Sequence, residues 1–448
     1  MKNLTPLQII LSGVFIIAIL AATLIFAGVL PGLKDKGPSG ASQINYWDTI
    51  PQPQIRVIAD TFSKRFGASI KYREIEESKY LETIIDALAS GNGPDVWRIP
   101  NDVLLKNIQK ARFTMTTVYP ERTFREKYLD EASLLIFPQG IVGFPANIDP
   151  LVLYWNKTLF RGASISGAPK TWAQFITASE KLTRMDSSKN IIQAGAALGD
   201  FSNVDHAKDI LSLLIMQSGN PLARLVTQGT GQNIKVKFDS ALDEIGQEAL
   251  PAVESSLRFF NDFSDPRKSS YSWAGSLPDS IDYFIQGKLA MYIGYGSEYK
   301  TIKEKNPHLD FDITEIPQIS QDTPDKMTFG RMSVYIISRQ STQAEQTTAL
   351  RFIDFMSTPE VQSILISDTP KAPVLRSSLA KLPDDPILSI IYNSVIKSVS
   401  WLEPGPQETY NIFKDMTRSI ATGRKDARKA INDANQILQN LFDSLLIK

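Results

Sequence analysis

An α/β fold preceded by one N-terminal transmembrane helix is the class this sequence predicts, and three observations predict it. From residue 44 onward, short apolar runs of strand character alternate with stretches of helical apolar periodicity across brief turns, the pattern of a parallel sheet covered on both faces. Residues 7–30 are almost wholly apolar and carry no charge. Of 448 residues, 43% are hydrophobic and 21% charged, which excludes a disordered chain and supplies about two or three cores.

Only Gln8, Ser12, Gly13, Thr23 and Gly28 interrupt the apolar segment. Helical residues at ~1.5 Å each carry it ~36 Å, across a hydrocarbon core of about 30 Å with some tilt. A cleaved signal peptide has a shorter apolar stretch of about 7–15 residues, so an uncleaved signal anchor is expected, with Ala22 and Ala27 the small residues cleavage would use. Lys2 on one flank faces Lys34, Asp35 and Lys36 on the other, and charge alone leaves the orientation open. A tail of residues 1–6, a Gly/Pro/Ser-containing linker over 31–41 and a cysteine-free remainder suit export of the bulk of the chain. The expectation is a single-pass cell-membrane protein, mostly extracytoplasmic.

The elements then follow in order. Residues 44–47 read as a strand, and Ile55, Ile58, Ala59, Phe62 and Phe66 form a helical stripe stopped by Gly67. Residues 69–74 look extended, Leu81, Ile84, Ile85 and Leu88 mark a second helix closed by Gly91, and 94–99 give a third strand. Extended runs over 136–144 and 151–155 flank the proline-rich 144–150, which fits neither helix nor strand. Thr171 and Gln174 are spaced as a capping box ahead of Trp172, Phe175 and Leu182. The middle of the chain reads as largely helical, including 211–216, 254–260 and 279–286, with strands over 289–293 and 311–316. A second capping box, Thr342 with Glu345, precedes Ala349, Phe352, Ile353 and Met356; Pro359 takes a favoured first helical position, and apolar residues from Ala427 to Leu445 mark a long last helix.

Composition removes several chemistries. Forty-eight basic residues balance 48 acidic ones, so nucleic-acid binding lacks its electrostatic footprint. With no cysteine there is no disulfide, thiolate, iron–sulfur cluster or lipid-modified cysteine, and His206 and His308 are the two histidines, about a hundred residues apart. No nucleophile elbow, zinc-protease motif, phosphate loop, dinucleotide fingerprint or EF-hand loop is present, so no catalytic residue, cofactor or metal ligand is assigned. A pair of facing carboxylates would still suffice for a glycosidase.

Five stretches, taken in order, resemble bacterial extracellular solute-binding protein family 1, the sugar-binding subunits of ABC importers. They are Gly93-Pro94-Asp95-Val96, the run from Leu153 through Tyr154, Trp155, Asn156 and Lys157 to Phe160, Pro169-Lys170-Thr171-Trp172, Gly287-Lys288-Leu289-Ala290-Met291, and residues 352–362. The chain departs from the family pattern in lacking a lipobox cysteine and in carrying Glu298 and Tyr299 where many relatives have tryptophan. The resemblance implies a two-lobe, type II periplasmic-binding-protein-like fold with a hinge, lobe one being 42–146 plus 317–362 and lobe two 147–316 plus 363–448. It also implies a monomer that performs no reaction, binds a carbohydrate in the interlobe cleft and delivers it to ABC permease subunits. An anchored glycan-processing enzyme and a surface scaffold are the alternatives.

A sugar presents hydroxyls and apolar CH faces, and is held by planar aromatics together with carboxylates or amides. Trp47 and Asp48 end the first strand, where open α/β sheets place ligands, and Asn101 and Asp102 end the third, although Asp102 also fits as a helix cap. Asn147 and Asp149 lie in the first expected crossing. Tyr295, Ser297 and Glu298 follow a strand through Gly296, and Trp401 precedes Glu403-Pro404-Gly405-Pro406. Phe201, Asp205 and Arg331 complete the candidates, Arg331 fitting equally a structural ion pair.

Overall fold

The computed structural model describes residues 43–228, 235–242, 246–366 and 371–445. The apolar segment 7–30 and the whole linker lie outside the described residues, among which no helix is long and apolar enough to cross a membrane.

Alternating side chains build the first sheet. In β1 (Ile44–Asp48), Ile44, Tyr46 and Asp48 are buried while Asn45 and Trp47 are partly exposed, the period-two pattern of a strand with one covered face. The helix Gln52–Phe66 then buries Ile55, Ile58 and Phe62, and stops where Gly67 turns to φ 70° and bonds back to Ser63 O. β2 (Ile70–Glu74) and β3 (Val96–Pro100) flank β1 in parallel register. Asp95, from the Gly-Pro-Asp motif, accepts from Asn45 N at 2.8 Å and Ser341 Oγ at 2.6 Å and so fixes the start of β3.

The short hairpin β4 (Ile136–Phe137) and β5 (Gly140–Ile141) leads into β6 (Phe144–Asn156), a single strand of 13 residues. The proline-rich 144–150 is therefore strand. Pro145 is tolerated at a slip in register against β13 (Thr328–Ile337), and Pro150 sits at the end of that pairing. Beyond Pro150 the same strand changes partners. Residues 151–155 pair with β11 (Leu289–Tyr295) and 153–156 with β12 (Phe311–Thr314). With β7 (Arg184–Met185), β8 (Ile191–Ala196) and β14 (Ser398–Val399), the ten-stranded order is β2-β1-β3-β13-β6-β11-β8-β7, with β12 added on β6 and β14 on β13. β9 (Ala223–Gln228) and β10 (Lys235–Ser240) form a separate antiparallel pair in a region read from its sequence as largely helical. The fold is thus α/β in two halves joined through β6, whose first part pairs with β13 and whose last part pairs with β11 and β12.

The motif stretches turn out to be junctions. Asn156 caps the helix Lys157–Gly162 by accepting from Leu159 N, and Tyr154 donates to Tyr295 O at 2.6 Å, pinning the end of β11. Thr171 accepts from Gln174 N, but Gln174 Oε1 takes Lys170 N instead of closing the box, whereas Thr342 and Glu345 cap reciprocally as expected. At Gly195 an added Cβ would overlap the backbone of Ser179 on the helix Trp172–Leu182. Gly195→Ala is expected to cost about 2–3 kcal/mol by overpacking, read as a lowered midpoint in urea at unchanged slope.

Candidate functional site

Where β6 changes partners, polar side chains from separate segments converge. Asp149 on β6 stands opposite Arg331 on β13 in the strand register. Arg331 Nη2 bonds Asp102 Oδ2 at 3.2 Å, and Asp149 Oδ1 accepts from Ser297 N at 3.1 Å just past β11. Burial raises the Asp149 carboxyl, with Ser297 and Lys371 pulling the other way. Asn147, two residues before Asp149 on the same strand, lies opposite Ser333, whose Oγ accepts from Arg98 at 3.4 Å.

The second wall comes from β11 and the helix Ala207–Gln217. Tyr295 is buried and donates to Asp209 Oδ2 at 2.7 Å, with its ring edge-on to His206. Glu298 Oε1 lies 2.6 Å from His206 Nε2 and its Oε2 accepts from Tyr292 at 2.8 Å; a carboxylate only accepts, so the imidazole carries the proton between them. Burial opposes charge on His206, but Glu298 and the nearby Asp209 and Asp205 outweigh it and raise the imidazole above its ordinary value. His206 also holds φ 57°, a left-handed backbone that costs an ordinary side chain, at the start of the helix Ala207–Gln217. Glu298 lies close over Gly294, where any Cβ would collide with it. Gly294→Ala is accordingly expected to eject Glu298 from His206, which NMR titration would report as a lowered imidazole pKa.

The third wall is 398–405. Asn101 Oδ1 accepts from Met332 N at 3.0 Å while its Nδ2 donates to Trp401 O at 3.2 Å and Ser400 Oγ at 3.3 Å, so it clamps this segment to β13. Trp401 is 5% exposed and stacks on Phe413 at an interplanar angle of 10°. Glu403, 2% exposed, accepts from Lys208 Nζ at 2.5 Å. Burial raises the Glu403 carboxyl to about 7 against the pull of Lys208. Three polar atoms here are buried without a hydrogen-bond partner among the described residues: Asp102 Oδ1, Glu403 Oε2 and Trp401 Nε1. Buried polar atoms are rarely left open, and such a set suits groups that a ligand completes.

Nine sequence candidates are thus brought together: Asn101, Asp102, Asn147, Asp149, Tyr295, Ser297, Glu298, Arg331 and Trp401. The other four sit differently. Asp48 is fully buried and spends both oxygens on Arg98 and further hydrogen bonds on Tyr46 and Thr49. Trp47 lies on the opposite face of β1 with the Arg73 guanidinium 4.5 Å over its ring. Phe201 packs between Phe260 and Tyr410 in the core. Asp205 caps the helix Ser280–Ile285, accepting from Ser280 Oγ and Ile281 N, each at 2.8 Å. Phe201 and Asp205 also line a pocket of about 360 Å³ together with His206, Lys208 and Asp209. Sequence reasoning passed over Lys208, Asp209 and Glu403. Their signals were a charged pair opening a helix after a loop candidate, and a carboxylate set between a tryptophan and turn formers. Among the described residues no cluster of three or more acidic or histidine side chains is arranged to hold a metal ion.

A family model described as bacterial extracellular solute-binding protein matches residues 57–389. The chain belongs to that family. Among extracellular solute-binding proteins it is similar to the maltooligosaccharide ABC transporter solute-binding lipoprotein of Streptococcus pneumoniae serotype 4, at 23% identity over 94% of this chain and 95% of the relative. The maltodextrin-binding protein MdxE of Bacillus subtilis is 21% identical over 96% of this chain and 98% of its own. Among solved structures, the cyclic α-maltosyl-1,6-maltose binding protein of Arthrobacter globiformis superposes with a TM-score of 0.71 at 16% identity, covering 90% of this chain and all but 1% of the other. A cyclo/maltodextrin-binding protein complexed with maltotetraose gives 0.69 at 16% identity, over 92% of this chain and 100% of that one. These likenesses agree on a solute-binding protein of two α/β lobes.

Proposed function

We propose that this solute-binding protein captures a sugar or oligosaccharide between its two halves and hands it to an ABC importer. The observation that carries the reading is the convergence of Asp102, Asp149, Arg331, Tyr295, Glu298 and Trp401 where β6 passes from β13 to β11. Carboxylates and a guanidinium suit hydroxyl recognition, and the relatives are named for maltooligosaccharide and maltodextrin. The lobes would be 42–146 plus 317–362 and 147–316 plus 363–448, closing over the ligand as a population shift. Asp48 supports the site through Arg98, which donates to Ser333 opposite Asn147.

The pneumococcal relative is named a lipoprotein, whereas this chain has no cysteine to carry a lipid. The apolar 7–30 segment supplies the anchor in this reading, keeping the binder near its permease and raising its effective concentration there without added affinity. The relatives are named as binding proteins, which supports reading this chain as a binder.

Thermal unfolding of the full chain in detergent tests the reading, with maltotriose, maltotetraose and galactooligosaccharides each at about 100 times Kd, where binding stabilises by about 2.7 kcal/mol. A rise of a few degrees with saccharide recovered intact is expected. Hydrolysed saccharide would make the protein an enzyme, and no rise with any saccharide would remove the sugar assignment. Arg331→Ala should abolish the rise, and because the arginine head is half exposed, losing its pair with Asp102 should lower the unliganded midpoint by only about 2 °C.

A further inference from the structure

Residues 398–405 are held by both halves. Their start is fastened to the first half. β14 pairs with β13, and Glu131 accepts from both Ser398 Oγ and Ser400 Oγ, the latter at 2.6 Å. Their end belongs to the second half, for the helix Pro406–Ala421 packs on the helices Ala207–Gln217 and Ala427–Ser444. Between these fastenings the segment touches the second half through Glu403 and Lys208. Glu403 is faced by Lys208 and Asp209 from the helix Ala207–Gln217 and by Asp102 from the turn after β3, itself paired with Arg331 of β13. The Lys106–Glu408 ion pair at 2.5 Å lies farther along. One oxygen of Glu403 and one of Asp102 stay open within this group.

We propose that 398–405 is a strap between the halves, fastened at Glu403, and that a hydroxyl-bearing ligand fastens it further by donating into Glu403 Oε2 and Asp102 Oδ1 while Glu403 gives up its proton to solvent. The identity of the ligand as a saccharide rests on the proposed function; the strap does not. The unliganded strap is held with Glu403 neutral and loosens as the buried carboxyl ionises, because opening lets water solvate the charge. A ligand hydroxyl replaces that water, so ionised Glu403 is the form that binds. One proton leaves the carboxyl and passes to buffer, and no covalent bond to the ligand forms.

The full chain tests this in two ways. Without ligand, hydrogen exchange of 398–405, corrected for the intrinsic pH dependence, should rise about tenfold between pH 6 and pH 8, as linkage to a carboxyl titrating at about 7 requires. With maltotriose, calorimetry in phosphate and Tris at pH 7 should show about half a proton released, and Kd should fall about tenfold from pH 6 to pH 8 by the same linkage. Glu403→Gln should flatten both profiles. Should that variant not fold, Lys208→Met should shift the exchange transition to higher pH, since Lys208 holds the carboxyl down. Exchange of the strap independent of pH in the native chain overturns the proposal whether or not maltotriose binds. Maltotriose binding with a pH-independent Kd and no proton release overturns the ligand step and leaves the sugar reading standing. No saccharide binding at all removes that reading, and the exchange profile then decides the strap alone.

Discussion

Asp48→Ala should lower the unfolding free energy by about 3–5 kcal/mol, because it leaves the Arg98 guanidinium in the interior without its counter-charge. Arg98 Nη2 lies 2.6 Å from Asp48 Oδ1, and its Nε contacts both carboxylate oxygens within 3.0 Å. Tyr46 and Thr49 also donate to this carboxylate, so truncation orphans several donors at once. Tyr46, Tyr335 and Tyr80 surround the pair in the core, where burial holds each phenol well above its ordinary value and neutral. Urea denaturation checks the prediction as a lowered midpoint at unchanged slope. The double replacement Asp48→Leu with Arg98→Met should lose much less than the sum of the single losses, because two well-packed apolar groups leave no lone charge behind. A stability loss under about 1 kcal/mol combined with loss of saccharide binding would instead make Asp48 a direct ligand contact.

Asp48 shows how far a sequence reads here. Its place at the carboxyl end of β1 is set by local pattern, since Ile44, Tyr46 and Asp48 share a face and the helix stripe through Ile55, Ile58 and Phe62 follows at once. Its partner was invisible, because Arg98 is 50 residues away and meets Asp48 only through the parallel register of β3 against β1. The same holds for β6. Proline content made 144–150 look irregular, whereas the slip in register opposite Ser333 and Val334 is what absorbs Pro145, and that slip is a property of the pairing. The β9–β10 pair escaped for another reason. Lys235, Lys237 and Asp239 alternate with Val236 and Phe238, but the run is short and charged, and its burial comes from Phe442 stacked on Phe238 some two hundred residues on. Of the site, the residues at strand ends were legible because chain direction places them. Lys208, Asp209 and Glu403 were not, because Lys208 and Glu403 meet through a hydrogen bond between segments 195 residues apart.

That pairing leads to the second large effect, a stability that declines as pH rises. The folded chain holds Glu403 at about 7, above its unfolded value near 4.5. Between those values the native state binds more protons than the unfolded chain, so stability must fall with rising pH across the window and level off above it. Burial raises Glu131 and Asp149 as well, which adds slope of the same sign at the acid end. His206, raised above its ordinary 6.5, contributes stability that is complete below that value and is lost as pH climbs through its folded value, again in the same direction. Lys208 is raised too, but from 10.5, and is charged in both states throughout the window. The difference in unfolding free energy between the native chain and Glu403→Gln should therefore shrink by on the order of 2 kcal/mol from pH 5 to pH 8 in urea titrations, a change the linkage assigns to this one carboxyl. His206→Asn should remove a separate part of the slope, centred above pH 6.5. A constant native-minus-variant difference across pH 5 to 8 would mean that Glu403 is ionised at both ends, with Lys208 outweighing its burial.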